Sequence, residues 1–283
     1  MCGNVQPYPW VESIVYSAAS FAVQEALETL MNDKPSLSSR HAPRQNHILA
    51  ALPSATYERL IPNLELVSLE LGQAVYESSS RQDYLFFPTT AIVSLLFVLE
   101  NASTTEIAIV GNEGVVGISL FMGGDTTPSR AVVQSAGYAY RLKALEIRRE
   151  FERGGVVQHL LLRYTQALIT QMTQTAVCNK HHPVDQQLCR WLLLSLDRLP
   201  TDALTMTRGL IANMLGVRRD GVADAISILQ SAGVIHYAAG TVTVLNRSKL
   251  ERRVCECYGV VKREYDRLLP IMTAGTKPVL DPT

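Results

Sequence analysis

The spacing of apolar residues changes character three times along the chain, and each change marks a boundary. Residues 1–44 carry one helical pattern, "WVESIVYSAASFAVQEALETLM". There Val11, Val15, Ala18, Ala22 and Ala26 share a face. The stretch "NDKPSLSSRHAPRQ" that follows is rich in Ser, Pro and charge and reads as a linker. A short helix is expected next, capped by Asn46, and Pro62 is expected to end a second one. From Leu64 the pattern is short and β-rich: "LELVSLELG", "AVYE", "YLFFP", "AIVSLLFVLE", "TEIAIVG", "VVGISLF" and "RAVVQSAGYAYRL". Strands at this spacing, with turn residues between them, predict a jelly-roll-type β-barrel over residues 45–143.

From Ala144 the period becomes helical, and Gly154-Gly155 is expected to break the pattern into a short and a long helix. In the long one Val157, Leu161, Tyr164, Leu168, Gln171 and Thr175 follow alternating steps of four and three. That spacing is a coiled-coil seam, and it predicts a dimerisation helix over residues 144–181. The same stripe could pack on the chain's own strands. Leu160, Leu162 and Ile169 lie off it and are the expected barrel-packing residues, so the helix is read as serving both purposes.

Residues 182–270 form the last module. "HHPVDQQLCRWLLLSLDRLP" is a helix with Pro183 in its first turn and Pro200 at its end. In "TRGLIANMLGVRRDGVADAISIL", Thr207 can cap a helix whose Leu210, Ile211, Met214 and Leu215 pack inward. Gly216 sits where a tight interhelical turn needs positive φ. Val222, Ala225, Ile226 and Leu229 make the buried stripe of the second helix. "AGVIHYAAGTVTVLN" reads as a hairpin around Ala239-Gly240, and a closing helix and a tail over 271–283 complete the chain. The fold class is therefore α+β: barrel, long helix, and a winged helix-turn-helix.

Composition bounds the function. Charged residues make up 18% and hydrophobic ones 47%, which suits a packed globular chain, and the formal net charge is +0. The charge is unevenly spread: residues 1–180 carry a net −3 and residues 200–270 a net +3. A basic C-terminal module is compatible with a polyanion partner. The five cysteines, Cys2, Cys178, Cys189, Cys255 and Cys257, form no regular disulfide framework. No signal peptide or membrane span is evident, so the chain is expected in the cytoplasm without membrane contact. No catalytic constellation is found either: "GNEGVVG" lacks the Lys of a phosphate loop, and an enzyme is not expected.

The order barrel, dimer helix, winged helix, together with the string "MTRGLIANMLGVRRDGVADAISILQSAGVI", resembles the Crp/Fnr transcription regulators over roughly residues 45–250. The resemblance implies a homodimeric, DNA-binding regulator that reads a palindromic operator. Its partners would be double-stranded DNA, a second copy, an unidentified small-molecule effector and RNA polymerase. The implied DNA-contacting set is Thr207, Arg208, Arg218, Arg219, Asp220 and Ala223. Arg219 matches the guanine-reading arginine. Asp220 falls where a glutamate accepts from cytosine, Arg218 at a phosphate-contacting Ser or Thr position, and Asp224 where a second base-reading arginine would stand. The implied effector pocket holds Gly117, Ile118, Ser129 and Arg130. Cyclic-nucleotide binders place a Glu for the ribose where Ile118 stands, so gating by cyclic AMP is not expected. The alternatives are a cyclic-nucleotide-activated regulator, or a dimeric effector module acting on a protein partner.

No cofactor and no metal site are expected. Only Cys2 precedes Cys178, too few for the family's iron–sulfur cluster, and His47 and His159, the nearest candidates for a haem ligand, read as surface residues. Cys178, Cys189, His181 and His182 lie near one another at the hinge and leave a metal or thiol sensor open as the lesser reading. Cys255 and Cys257 on one helix would point apart, which disfavours joint chelation.

Overall fold

The computed structural model describes residues 41–100, 103–199 and 201–269. The expected N-terminal helix, Cys2 and the tail lie outside the described residues. Asn46 caps α1 (His47–Ala50) as expected: its side chain accepts from the N–H groups of Ile48 and Leu49 and donates to the carbonyls of Pro88 and Gly114. Helix α2 (Ser54–Leu60) ends one residue before Ile61, and a 3₁₀ turn follows through Pro62.

Seven strands then form two antiparallel sheets around one core. In the first, β1 (Glu65–Leu69), β7 (Gly137–Lys143) and β3 (Tyr84–Pro88) lie in the order β1-β7-β3. In the second, β2 (Ala74–Tyr76), β6 (Arg130–Ser135), β4 (Ile92–Val98) and β5 (Thr104–Val110) lie in the order β2-β6-β4-β5. The expected jelly-roll-type barrel is built as this antiparallel pair of sheets. One expected strand is absent: "VVGISLF" gives a single bridge, Val116 to Phe86, and then a 3₁₀ turn at Ile118–Leu120. Gly117, at φ 111°, turns the chain out of the strand direction there.

Strand β4 is buried on both faces from Ile92 to Leu96, which explains why its sequence is a near-continuous apolar run. The face opposite the core is covered by α4 (Val156–His181) and α5 (Val184–Leu196). A short helix, α3 (Ala144–Glu152), precedes them, and Gly154 and Gly155, both at positive φ, make the expected break. The glycines of "GNEGVVG" are there for close approach: a Cβ on Gly114 would come within 2.1 Å of the Tyr164 ring. Tyr164 Oη donates to the Val115 carbonyl at 2.9 Å.

The seam expected to join two subunits is used inside one. Val157, Leu161, Tyr164, Leu168, Gln171 and Thr175 are all buried. Gln171 bridges the backbone N–H and C=O of Ile109 on β5 and also donates to Tyr265 Oη. Periodicity identifies a face but not its partner, and here the partner is the chain's own strand and the last described helix. Of the residues expected to pack the barrel, Leu160 is buried, while Leu162 and Ile169 are 48% and 53% exposed.

Helix α5 is attached to the second sheet by a buried polar chain. Trp191 Nε1 donates to Glu106 Oε1 at 2.9 Å, and Gln134 Nε2 donates to Ser195 Oγ at 2.9 Å. The Ser94 hydroxyl lies 2.5 Å from Glu106 Oε2 and 3.0 Å from Gln134 Oε1. One hydroxyl hydrogen cannot serve both acceptors. A neutral Glu106 resolves the conflict, donating to Ser94 while Ser94 donates to Gln134. Burial pushes the Glu106 carboxyl up to about 7, against the lowering effects of Ser94, Arg190, Trp191 and Arg198. A second link, Arg198 Nε to Glu113 at 2.8 Å, is also buried.

A carboxyl that holds its proton more tightly folded than unfolded stabilises the fold fully below its ordinary value. That contribution is lost as pH rises through the folded value. Stability should therefore fall between about pH 4.5 and about pH 7, by an amount on the order of 3 kcal/mol at most. Glu106→Gln, which can reproduce the hydrogen bonds of the neutral acid, should flatten that fall in urea titrations across the range. An unchanged slope in the variant would place the titration elsewhere.

Candidate nucleic-acid interface

Strand β8 (Ala203–Thr205) leads into α6 (Arg208–Leu215). Thr207 caps this helix, its Oγ1 accepting from the Leu210 N–H at 3.3 Å. Ile211, Ala212, Met214 and Leu215 are buried, but Leu210 is 40% exposed, at the edge of the inward stripe. Gly216 adopts φ 67°, ψ 32°, as the tight turn requires. A Cβ there would also sit 2.9 Å from Thr105 Oγ1, so the turn rests on the start of β5. Helix α7 (Arg219–Ser231) buries Val222, Ala225, Ile226 and Leu229, the expected four. The hairpin β9 (Ile235–Ala238) and β10 (Thr241–Val244) turns at Ala239 and Gly240, both at positive φ. Strand β8 pairs with β10, so the wing is three-stranded where two were expected.

Arg218 is the N-cap of α7 and offers it no side-chain hydrogen bond. The first backbone N–H groups of that helix are therefore left open at its positive end. Arg218, Arg219 and Asp220 are exposed, and Ala223 is half-buried one turn on. The Arg219 guanidinium lies over Gly209, 3.5 Å from where a Cβ would stand. Arg208 is exposed and stacks on the wing residue Tyr237, 5.0 Å from the ring centroid, and its N–H donates to Tyr237 Oη at 3.2 Å. Among the described residues no ion pair engages Arg208, Arg218 or Arg219. Thr207, the three arginines, Asp220 and Ala223 thus belong to one winged-helix module, and these three arginines stand outside its ion pairs. Asp224 is also exposed on α7.

The sheet domain holds a cavity of about 360 Å³, closed on one side by Met172 of α4. Ile118 and Ser129 line it, with Tyr76, Leu95, Phe97 and Ile107 among the others. Gly117 supplies the turn before Ile118. Arg130 does not line the cavity: its guanidinium pairs with Glu77 at 2.8 Å. The expected effector residues are therefore only partly brought together, and no charged side chain is among those lining the space.

Two further helices end the described chain, α8 (Arg247–Arg253) and α9 (Glu256–Leu268). Helix α9 runs along α4, with Arg163 donating to the Arg267 carbonyl and Gln166 to Glu264. Its start brings Cys255 and Cys257 to Cys178 and His182 at the end of α4, with all four ligand atoms within 4.8 Å of one another. The expectation that Cys255 and Cys257 diverge fails because Cys255 is the N-cap, with extended ψ of 166°, and not a helical residue. Of the other hinge residues, His181 is exposed and Cys189 is buried in the main core, where burial pushes its thiol up to about 12. The available signal was a Cys-x-x-x-His spacing on one helix and a Cys-x-Cys at the start of another, each half of a ligand set.

Residues 186–253 match the Crp-like helix-turn-helix domain. Among curated proteins none matches the chain in sequence. Solved structures share the fold. FixK2 from Bradyrhizobium japonicum is 17% identical with a TM-score of 0.59, over 68% of this chain and 98% of that one. A putative Crp/Fnr-family regulator from Eubacterium rectale is 14% identical with a TM-score of 0.59, over 73% and 96%. The c-di-GMP-responsive regulator CLP of Xanthomonas campestris is 15% identical with a TM-score of 0.54, over 69% and 100%. No helix among the described residues is long and apolar enough to cross a membrane.

Proposed function

This chain has the Crp/Fnr fold and a Crp-like helix-turn-helix domain, and from that premise we propose a homodimeric transcription regulator that reads a two-fold-related DNA operator. The observation that carries the reading is the open N-terminus of α7 with Arg218 and Arg219 exposed and without an ion pair. A helix end of this kind suits phosphate, and an arginine on its first turn suits the O6 and N7 of guanine. Arg219 is assigned to the base, and Arg218, Arg208 and Thr207 to the backbone. Asp220 and Asp224 put carboxylates on the same helix. They disfavour a guanine at the positions they face and allow a cytosine amine.

Dimerisation is assigned to the face of α4 that the protomer leaves open. Leu162, Ile169, Thr173 and Ala176 are exposed on one face at spacings of seven, four and three residues, as a helix pair requires, with Gln166 between them turned to Glu264 of α9. An effector entering the cavity would be neutral and largely apolar, because the one arginine expected there is paired with Glu77. A cyclic phosphate would be buried without a cation, which is costly.

Four outcomes follow from this reading. Genomic fragments recovered on the purified protein should share a palindrome. Arg219→Ala should bind that site more weakly by about 1–3 kcal/mol and tolerate base changes at one position of each half-site. Equal affinity and selectivity in the variant, measured by fluorescence anisotropy, would remove Arg219 from base reading. In light scattering, Ile169→Glu should halve the particle mass of the wild type, while a wild type that is already monomeric would refute the helix pair. Cyclic AMP should leave the melting temperature unmoved; a rise abolished by Arg130→Ala would restore the cyclic-nucleotide reading.

A further inference from the structure

We propose that Cys178, His182, Cys255 and Cys257 form a zinc site that fastens the start of α9 to the end of α4. The site stands apart from the DNA reading and does not depend on it. Its distances suit a mononuclear tetrahedral centre. With Zn–S bonds of about 2.3 Å, the edges of a tetrahedron come to about 3.8 Å. The Cys178 and Cys255 sulfurs are 3.6 Å apart, and the Cys257 sulfur is 3.6 Å from His182 Nδ1. Four ligand atoms within 4.8 Å of one another leave room for one ion at their centre and none for a two-iron cluster.

The chemistry of the set points the same way. Three thiols and one imidazole in a tetrahedral arrangement suit zinc, where carboxylate and carbonyl oxygens would suit magnesium or calcium. All three cysteines are buried, in a small cluster set apart from the main core with Val254 against it. Cys178 and Cys255 meet each other and Cys257 meets His182, and a thiol is a weak hydrogen-bonding group. His182 turns Nδ1 to the sulfurs, and its Nε2 lies 3.4 Å from Glu256 Oε2. A metal-bound histidine whose second nitrogen meets a carboxylate is a recurrent supporting arrangement, which fixes the tautomer and the ring plane.

Local structure explains how the four converge. Cys178 and His182 are one turn apart, His182 being the C-cap where α4 ends and the backbone becomes extended. Cys255 is the N-cap of α9, and Cys257 lies within its first turn. Cys178 and Cys255 are separated by 77 residues, a span that contains the whole helix-turn-helix and its wing. An ion held between them closes that loop, and clips on long loops remove the most freedom from the unfolded chain. All four side chains enter as ligands, the cysteines as thiolates, and binding one zinc releases the thiol protons without any redox change.

The test is metal content of the full chain, purified under reducing conditions from zinc-supplemented cells. About one zinc per chain is expected, with X-ray absorption giving three Zn–S distances near 2.3 Å and one Zn–N near 2.0–2.1 Å. Cys257→Ser should bring zinc to background. Cys189→Ala, which changes a cysteine outside the cluster, should keep it. Should Cys257→Ser fail to fold, cobalt titration of the wild type supplies an independent reading: intense absorption of a tetrahedral, thiolate-rich ion is expected, saturating at one equivalent. A wild type without zinc that takes up neither zinc nor cobalt overturns the proposal. So does iron with sulfide in place of zinc, or a Cys178–Cys255 disulfide recovered from the freshly isolated protein. Loss of zinc in Cys189→Ala as complete as in Cys257→Ser would overturn the ligand assignment.

Discussion

The Glu106 carboxyl, enclosed between the second sheet and α5, meets Trp191 on one oxygen and Ser94 on the other. Its hydrogen bonds, with those of Ser94, Gln134 and Ser195, fix how α5 sits on that sheet. A buried polar atom left without a partner costs about 1–3 kcal/mol. If α5 rotated or slid on the sheet, Glu106, Ser94, Gln134 and Ser195 would lose partners together. Apolar contacts around Trp191 would tolerate many poses, whereas the hydrogen bonds accept one. The link between Arg198 and Glu113 repeats the principle just past the C-terminal end of the same helix. The pose of α5 in turn sets that of α7, which packs against it.

What the sequence made legible was local. Thr207, Gly216 and the stripe Val222, Ala225, Ile226 and Leu229 are set by interactions within a few residues, and the structure has each where the pattern puts it. Gly154-Gly155 and Asn46 are of the same kind. Illegibility began where two distant segments meet. The stripe on α4 was correctly grouped, but its partners, Ile109 and Tyr265, lie 62 and 94 residues from Gln171. A seven-residue repeat describes a surface that wants covering and is silent about which surface covers it. The cysteines show the same limit, since each half of the cluster looks incomplete until the fold closes the gap. Arg130 is a third case: its type fitted a phosphate pocket, and a neighbouring carboxylate, Glu77, claimed it.

The cavity of the sheet domain and the exposed face of the winged helix are chemically opposite. The cavity beneath α4 is lined by aliphatic, aromatic and hydroxyl side chains, while the winged helix presents arginines that the chain leaves without carboxylates. Net charge hides this, because the acidic and basic portions cancel over the whole chain. Electrostatic attraction to a polyanion acts over about a Debye length, roughly 8 Å at physiological ionic strength. At that range the local excess on the module matters, and the distant acidic surface matters little.

Helix α9 returns to lie along α4, the same helix from which the winged module departs at Pro183. The module is thus attached to one rod at two places. It also rests on β5 at two points, Trp191 of α5 on Glu106 and the Gly216 turn on Thr105. A body held along one rod and resting on one strand has little freedom to move independently of either. A displacement of β5 would therefore reach Arg218 and Arg219 directly, as a lever is moved at its fulcrum.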